Sequence, residues 1–143
     1  MTVSRLRNIP GIGVDRIGDA ADCLRDPDIL RLENLDTDVR PPAQALASTH
    51  EAIDDDAANS YLPFTGQAAL RAAAVGRVGR AAGIAYDPAS ECIVSAGGLA
   101  GIFNVLLSIL EPGDEVVLTD PTYAGLINRV HLAAGVPRFA RLQ

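Results

Sequence analysis

The spacing of apolar residues changes character near position 87 of this chain. Upstream, apolar positions recur at helical intervals and predict a long helix over 66–84, with Thr65 as its N-cap. A second helix is predicted over 42–55, where a proline opens the first turn and an acidic run opposes the C-terminus. Shorter patterns predict a helix over 17–25 and a strand over 29–35.

Downstream of position 87, short apolar segments alternate between strand and helix patterns. Turn sequences rich in glycine and proline separate them, as in Glu111-Pro112-Gly113-Asp114. The predicted strands and helices are, in chain order, 91–96, 98–110, 115–119, 123–134 and 138–142. This β-α-β-α-β order with short connections predicts a mostly parallel sheet with right-handed crossovers, in a three-layer α/β fold.

Composition narrows the class of protein. The chain has 143 residues, 48% of them hydrophobic, and a formal net charge of −6, which favours a globular domain and argues against nucleic acid or an anionic membrane as partner. No apolar stretch approaches the ~18 residues of a membrane span. With only Cys23 and Cys92, no disulfide framework is expected, and a reducing, cytoplasmic setting is the default.

One absence limits the chemistry of this sequence. All 12 basic residues are arginine, so the chain contains no lysine. A mechanism that needs a side-chain amine as nucleophile cannot be completed by these residues alone.

The pair Gly97-Gly98 lies where a predicted strand meets a predicted helix. Helix N-termini present unpaired N–H groups and about half a positive charge, and glycine lets an anion approach the backbone closely. The sequence GGLAG does not fit the G-x-G-x-x-G spacing of dinucleotide sites. The junction therefore suits a phosphate, and the alternative is a tight turn without a ligand.

The end of the next predicted strand reads Asp-Pro-Thr-Tyr over 120–123. In a parallel sheet it emerges at the same edge as Gly97-Gly98. Tyr123 could stack there on a flat cofactor, or be an ordinary tyrosine in the first helical turn.

Taken together and in order, several segments of residues 61–143 resemble the early large domain of fold-type-I pyridoxal-phosphate aminotransferases, the aspartate-aminotransferase-like class I/II group. The matching pieces are Tyr61…Gly66…Leu70-Arg71, Val94-Ser95-Ala96-Gly97-Gly98, Glu111-Pro112-Gly113-Asp114-Glu115-Val116, Asp120-Pro121-Thr122-Tyr123 and Ala134-Gly135.

The resemblance implies a role for five residues. Gly97, Gly98 and Leu99 match the turn whose backbone binds the phosphate of pyridoxal 5′-phosphate, although many relatives place a hydroxyl or amide at the position of Leu99. Tyr123 matches the aromatic residue that stacks on the pyridine ring. Tyr61 matches a tyrosine that reaches the cofactor phosphate of the neighbouring subunit, which implies a homodimer in the complete protein.

The resemblance also implies a domain organisation. Residues 1–57 correspond to the N-terminal arm and part of the small domain, and 58–143 to the first, incomplete part of the cofactor-binding large domain. Asp38 stands where the family has a glycine near the substrate carboxylate, and a carboxylate there would repel the substrate. No substrate-binding residue is assigned for this reason.

The family's chemistry needs groups beyond residue 143. These are a lysine that binds the cofactor covalently, an asparagine, an aspartate, a tyrosine and a substrate-binding arginine. The sequence is therefore expected to be the N-terminal portion of an enzyme that moves an amino group from an amino acid to a 2-oxo acid, and to be inactive alone. An incomplete sheet would leave an open edge and an uncovered apolar face.

Two other interpretations stay open on the sequence. Residues 8–20 resemble the hairpin of a helix-hairpin-helix motif that binds DNA phosphates, but the net charge of −6 opposes it. A catalytically dead fragment acting as an interaction partner would also lack lysine. His50 and His131 are expected to be structural or surface residues rather than metal ligands, and Arg71 to pair with an acid or at a domain contact.

Overall fold

The computed structural model describes residues 3, 6–7, 9, 11–33, 37 and 39–143. Their helices and strands are α1 (Gly13–Leu24), α2 (Ala43–Ile53), α3 (Ala68–Ala82), α4 (Gly98–Ile109), β1 (Glu115–Asp120), α5 (Ala124–Leu132) and β2 (Val136–Arg141). The chain divides into two compact units. We call Thr37–Ser95 the middle unit, and Ala96–Gln143 with the described residues before position 37 the sheet unit.

A parallel pair of strands forms the centre of the sheet unit. β1 pairs with β2 in a register that runs from Glu115 opposite Val136 to Asp120 opposite Arg141. Helix α5 connects the two strands, as a parallel crossover requires. The α/β class is therefore confirmed.

The hydrophobic core lies between α4, α5 and the sheet. Its buried side chains are Leu106, Val130 and Ala133, of which Val130 is only 1% exposed. Partly buried side chains surround them, namely Phe103, Leu110, Val116 and Leu118. The apolar face of α4 thus packs on α5 and on the inner face of β1.

The turn that precedes β1 is fixed by hydrogen bonds to the turn that precedes β2. Gly113 has a φ of +97°, a conformation that favours glycine, and its N–H donates to the carbonyl of Ala134 over 2.9 Å. The N–H of Val136 donates to the carbonyl of Asp114 over 2.8 Å. These bonds set the register at which the two strands begin.

The strand predicted over 91–96 does not form. Among the described residues the sheet has two strands, and neither includes these positions. A strand is defined by a neighbour that satisfies its backbone groups, and here the N–H of Val94 donates instead to the carbonyl of Thr65, at 3.0 Å. The apolar pattern was that of a strand, but no partner strand lies beside it in the described residues.

The middle unit contains α2 and α3, neither of which has a buried residue. Helix α2 ends at Ile53 with Asp54 as its C-cap, which confirms that the acidic run stops it. Helix α3 begins after Gln67, so the prediction of Thr65 as N-cap is wrong, because the carbonyl of Thr65 belongs to a loop bonded to Val94.

The N-terminal part of the sheet unit differs from its prediction in two places. Helix α1 begins at Gly13, earlier than the predicted position 17. Residues 29–33 form no strand, and positions 34 and 35 lie outside the described residues. Arg31 pairs there with Asp22 and Glu33, so side-chain bonds rather than a ladder hold this stretch. Across the described ranges, no helix has the length and apolar character to cross a membrane.

Candidate functional site

The junction at Gly97-Gly98 has the geometry of an anion-binding helix start. Gly97 is the N-cap of α4 with φ +87° and ψ 159°, a conformation that strongly favours glycine. A Cβ built on Gly97 or Gly98 would meet no atom within 4 Å, so packing does not require either glycine. The first turn of α4 therefore faces open space with N–H groups that have no partner inside the helix.

An open cavity of about 510 Å³ lies at this helix start. Its lining residues, all in the sheet unit, are Ala96, Gly97, Gly98, Leu99, Ala100, Phe103, Arg129 and Leu132. The three predicted phosphate-binding residues thus border one cavity. The other lining residues are apolar except for one cation.

That cation, Arg129, was not identified from the sequence. Its Nη1 atom donates to the carbonyl of Gly125 over 3.2 Å, which holds the guanidinium near the first turn of α5. A guanidinium beside a helix N-terminus adds to the positive potential that attracts an anion. An arginine within the otherwise mostly apolar sequence AGLINRVHL was the available signal.

Tyr123 follows the carboxyl end of β1, as predicted, and is the N-cap of α5. Its side chain is 51% exposed and does not line the cavity. The ring lies against Gly125, where an added Cβ would overlap the ring atoms. The absence of a side chain at Gly125 therefore lets the ring lie back over the first turn of α5.

Tyr61 lies in the middle unit and is 94% exposed. Phe64, three residues later, is 93% exposed. Two large aromatic rings on one loop are thus exposed to solvent, and neither packs within its own unit. Asp38, the predicted departure from the family glycine, lies outside the described residues.

Metal binding finds no support in the part of the chain that the structure describes. No group of three or more His, Cys, Asp or Glu side chains there is placed to hold an ion. His50 lies on α2 and His131 on α5, in different units.

Comparison with known proteins gives a consistent class. The family described as aminotransferase class I and II matches residues 29–143. The LL-diaminopimelate aminotransferase of Gloeobacter violaceus is 35% identical over 126 residues, which are 85% of this chain and 32% of that protein. The solved N-succinyldiaminopimelate aminotransferase of Mycobacterium tuberculosis superposes with a TM-score of 0.85 at 29% identity, covering 100% of this chain and 36% of that one.

The α/β fold of this chain is thus shared with a solved aminotransferase over the whole length of the chain. The chain belongs to the aminotransferase class I and II family. It spans about a third of the length of the relatives just described. Neither the relatives nor the described structure favour DNA binding, since α1 carries three aspartates and one arginine.

Members of this family depend on pyridoxal 5′-phosphate. The residues present fit its phosphate group, because the open space in front of Gly97 and Gly98 would accept an anion that a Cβ would displace. They do not include the lysine that the family uses, since the chain has none.

Proposed function

We propose that this chain forms the phosphate-binding part of a cytoplasmic aminotransferase that moves an amino group from an amino acid to a 2-oxo acid. The observation that carries the proposal is the start of α4. There a glycine with φ +87° opens a helix at a cavity, within a segment that matches the family throughout.

In this proposal different residues bind the phosphate and the ring of pyridoxal phosphate. The backbone N–H groups of Gly98 and Leu99 would donate to phosphate oxygens, and Gly97 would allow the turn that aims them. The ring of Tyr123 would leave Gly125 to stack on the cofactor ring. Tyr61 would act on the phosphate bound by a neighbouring subunit, because its ring is exposed and unused within its own unit.

The bound cofactor would supply an electron sink for the amino acid's α-carbon. This chain's own residues hold and orient that group but move no proton at the reacting carbon, because no lysine is available. In this proposal positions 1–57 correspond to the arm and part of the small domain, and 58–143 to the large domain.

The substrate of the complete protein is proposed only as a class. Similar relatives are named for diaminopimelate, methionine and kynurenine, so their names span several amino acids.

The proposal is tested by titrating the purified chain with pyridoxal phosphate and, separately, with inorganic phosphate. We expect weak binding that favours pyridoxal phosphate and no lysine adduct after borohydride treatment. Gly98→Ala should weaken pyridoxal phosphate binding about tenfold, because the methyl group occupies the space in front of the helix start.

The matched control is Gly76→Ala on α3, which lies in the middle unit and away from the cavity. It should leave the affinity unchanged. Equal affinity for both ligands, or no effect of Gly98→Ala, would contradict a cofactor role and leave a simple turn.

A further inference from the structure

We propose that Arg71 is a positioning residue that holds the loop of Tyr61 against the segment leading to the glycine junction. We call residues 61–66 the tyrosine loop and residues 87–91 the acidic turn. This inference rests on the proposed function, since it gives Tyr61 its place, but its structural half can be tested without any cofactor.

Arg71 binds three backbone carbonyls from two separate stretches. Its Nε donates to the carbonyl of Gly66 over 3.2 Å. Its Nη1 donates to the carbonyl of Pro88 over 2.6 Å and to that of Ala89 over 3.3 Å. The planar guanidinium offers donors in a fixed fork, so one half-buried side chain joins the tyrosine loop to the acidic turn.

A second set of contacts lies beside the first. The N–H of Val94 donates to the carbonyl of Thr65 over 3.0 Å. Gly66 has φ +93°, and a Cβ there would overlap the side chain of Val94. The end of the tyrosine loop is thus in backbone contact with a segment that reaches Gly97 three residues later.

Hydrogen bonds within the acidic turn fix its conformation, and with it the two carbonyls that accept from Arg71. The carboxylate of Asp87 accepts from the Ser90 hydroxyl over 2.6 Å and from the Ala89 N–H over 2.9 Å. The N–H of Asp87 donates to the Glu91 carboxylate over 2.6 Å. The hydrogen bonds from the Ser90 hydroxyl and the Ala89 N–H lower the pKa of Asp87, and the charge of Arg71 adds to the effect.

These bonds favour a structural role for Arg71 over direct binding of a ligand anion. Two of its nitrogens already donate to carbonyls, and the acceptors come from its own unit. The sequence expectation for Arg71 was a pairing with an acid or at a domain contact, and the partners described here are backbone carbonyls within its own unit. In this inference Arg71 positions Tyr61, five residues before Gly66, through the backbone of the tyrosine loop.

Amide hydrogen exchange in the full chain tests the structural part of this inference, namely that Arg71 holds the tyrosine loop in place. Arg71→Met keeps the length of the side chain and removes its donors, so the amides of Gly66 and Val94 should exchange about tenfold faster. Arg71→Lys keeps the charge without the fork and should give an intermediate rate. Arg77→Met, an exposed position on the same helix, is the matched control.

Exchange at Val130, in the other unit, reports whether each variant is still folded. If the Val130 amide stays protected in Arg71→Met and the exchange rates of Gly66 and Val94 do not change, the inference is overturned. This outcome does not depend on the affinity for pyridoxal phosphate. If Arg71→Met fails to fold, the Arg71→Lys rates decide in the same way.

The functional half is tested by pyridoxal phosphate affinity in a double-mutant cycle. Tyr61→Phe and Arg71→Met should each weaken binding about three- to tenfold, and the double variant should lose no more than Tyr61→Phe alone. Additive losses would overturn the positioning role alone. No effect of Tyr61→Phe would overturn the role proposed for Tyr61 and, with it, this use of Arg71.

Discussion

Each of the two units of this chain is stabilised internally by a different kind of interaction. The sheet unit has a small buried core around Val130, with strands paired in parallel and helices packed on them. The middle unit has two helices without a buried residue, and hydrogen bonds from Arg71 and neighbouring backbone groups fix its loops. Burial stabilises in proportion to apolar area, whereas exposed hydrogen bonds each contribute little.

The sheet unit is stabilised by its own core, whereas the described part of the middle unit depends on local hydrogen bonds. A unit with a core should respond to the loss of a methyl group, and a unit without one should respond to changes in backbone shape.

The largest effect is expected in the core. Val130→Ala removes two methyl groups from a side chain that is 1% exposed and leaves a cavity, so we expect the free energy of unfolding to fall by about 2 kcal/mol. Urea unfolding followed by circular dichroism measures it. Val78→Ala on α3, at 53% exposure, should change the same quantity by less than about 0.5 kcal/mol. An equal loss of unfolding free energy in both variants would contradict the claim that only the sheet unit has a stabilising core.

A pair of glycines on α3 should respond with opposite signs. A Cβ on Gly79 would lie 2.5 Å from the carbonyl oxygen of Ile84, so Gly79→Ala should destabilise the chain by about 1–3 kcal/mol. At Gly76 the nearest atom is Arg80 Nη1 at 3.6 Å, so Gly76→Ala should stabilise by about 0.5–1 kcal/mol. Thermal unfolding of both variants provides the measurement. A gain at both positions would show that the end of α3 is not closely packed.

A smaller effect is expected where Tyr123 meets Gly125. Gly125→Ala forces the ring away from the first turn of α5, because the new methyl group overlaps it. We expect the ring resonances of Tyr123 to shift and pyridoxal phosphate affinity to change by about two- to tenfold. In a Tyr123→Leu background the same substitution should not change affinity. An effect there would mean that Gly125 acts without the ring.

The smallest effect concerns the ion pair on the sheet. The hydrogen bond from Arg138 to Glu115, at 2.8 Å from Nε, lowers the pKa of Glu115 below its ordinary value of 4.5. The stabilisation is therefore present above pH 4.5 and is lost as the pH falls through the folded-state pKa. Arg138→Met should raise the titration midpoint of Glu115, as carboxyl chemical shifts would report. An unchanged midpoint would show that the pair does not form in solution.

Helix ends and turns could be predicted from the sequence where the residues that determine them lie close by in the chain. The acidic run after Ile53 and the glycine turn at Gly113 both act within a few residues of the elements they bound. The parallel pairing of β1 with β2 followed from their alternation with a helix. These features need no knowledge of distant partners.

Features that depend on partners far along the chain were missed. The segment 91–96 has a strand's composition but no neighbouring strand among the described residues, and Thr65 bonds to Val94 instead of capping a helix. Arg71 gave no periodic signal, because its acceptors at Pro88 and Ala89 are backbone carbonyls that only folding brings near. The roles of Gly97, Gly98, Leu99, Tyr123 and Tyr61 came from resemblance and stay predictions.

The β1–α5–β2 segment also affects the order in which the chain gains structure during synthesis. Together with α4 this segment supplies the core side chains, which lie between Phe103 and Ala133, and Glu115 pairs with Val136 across one short helix. Closing so short a loop costs little chain entropy and takes far less time than the ribosome needs to add a few residues. Helix α4 and this segment can therefore complete their shared core as they emerge from the ribosome.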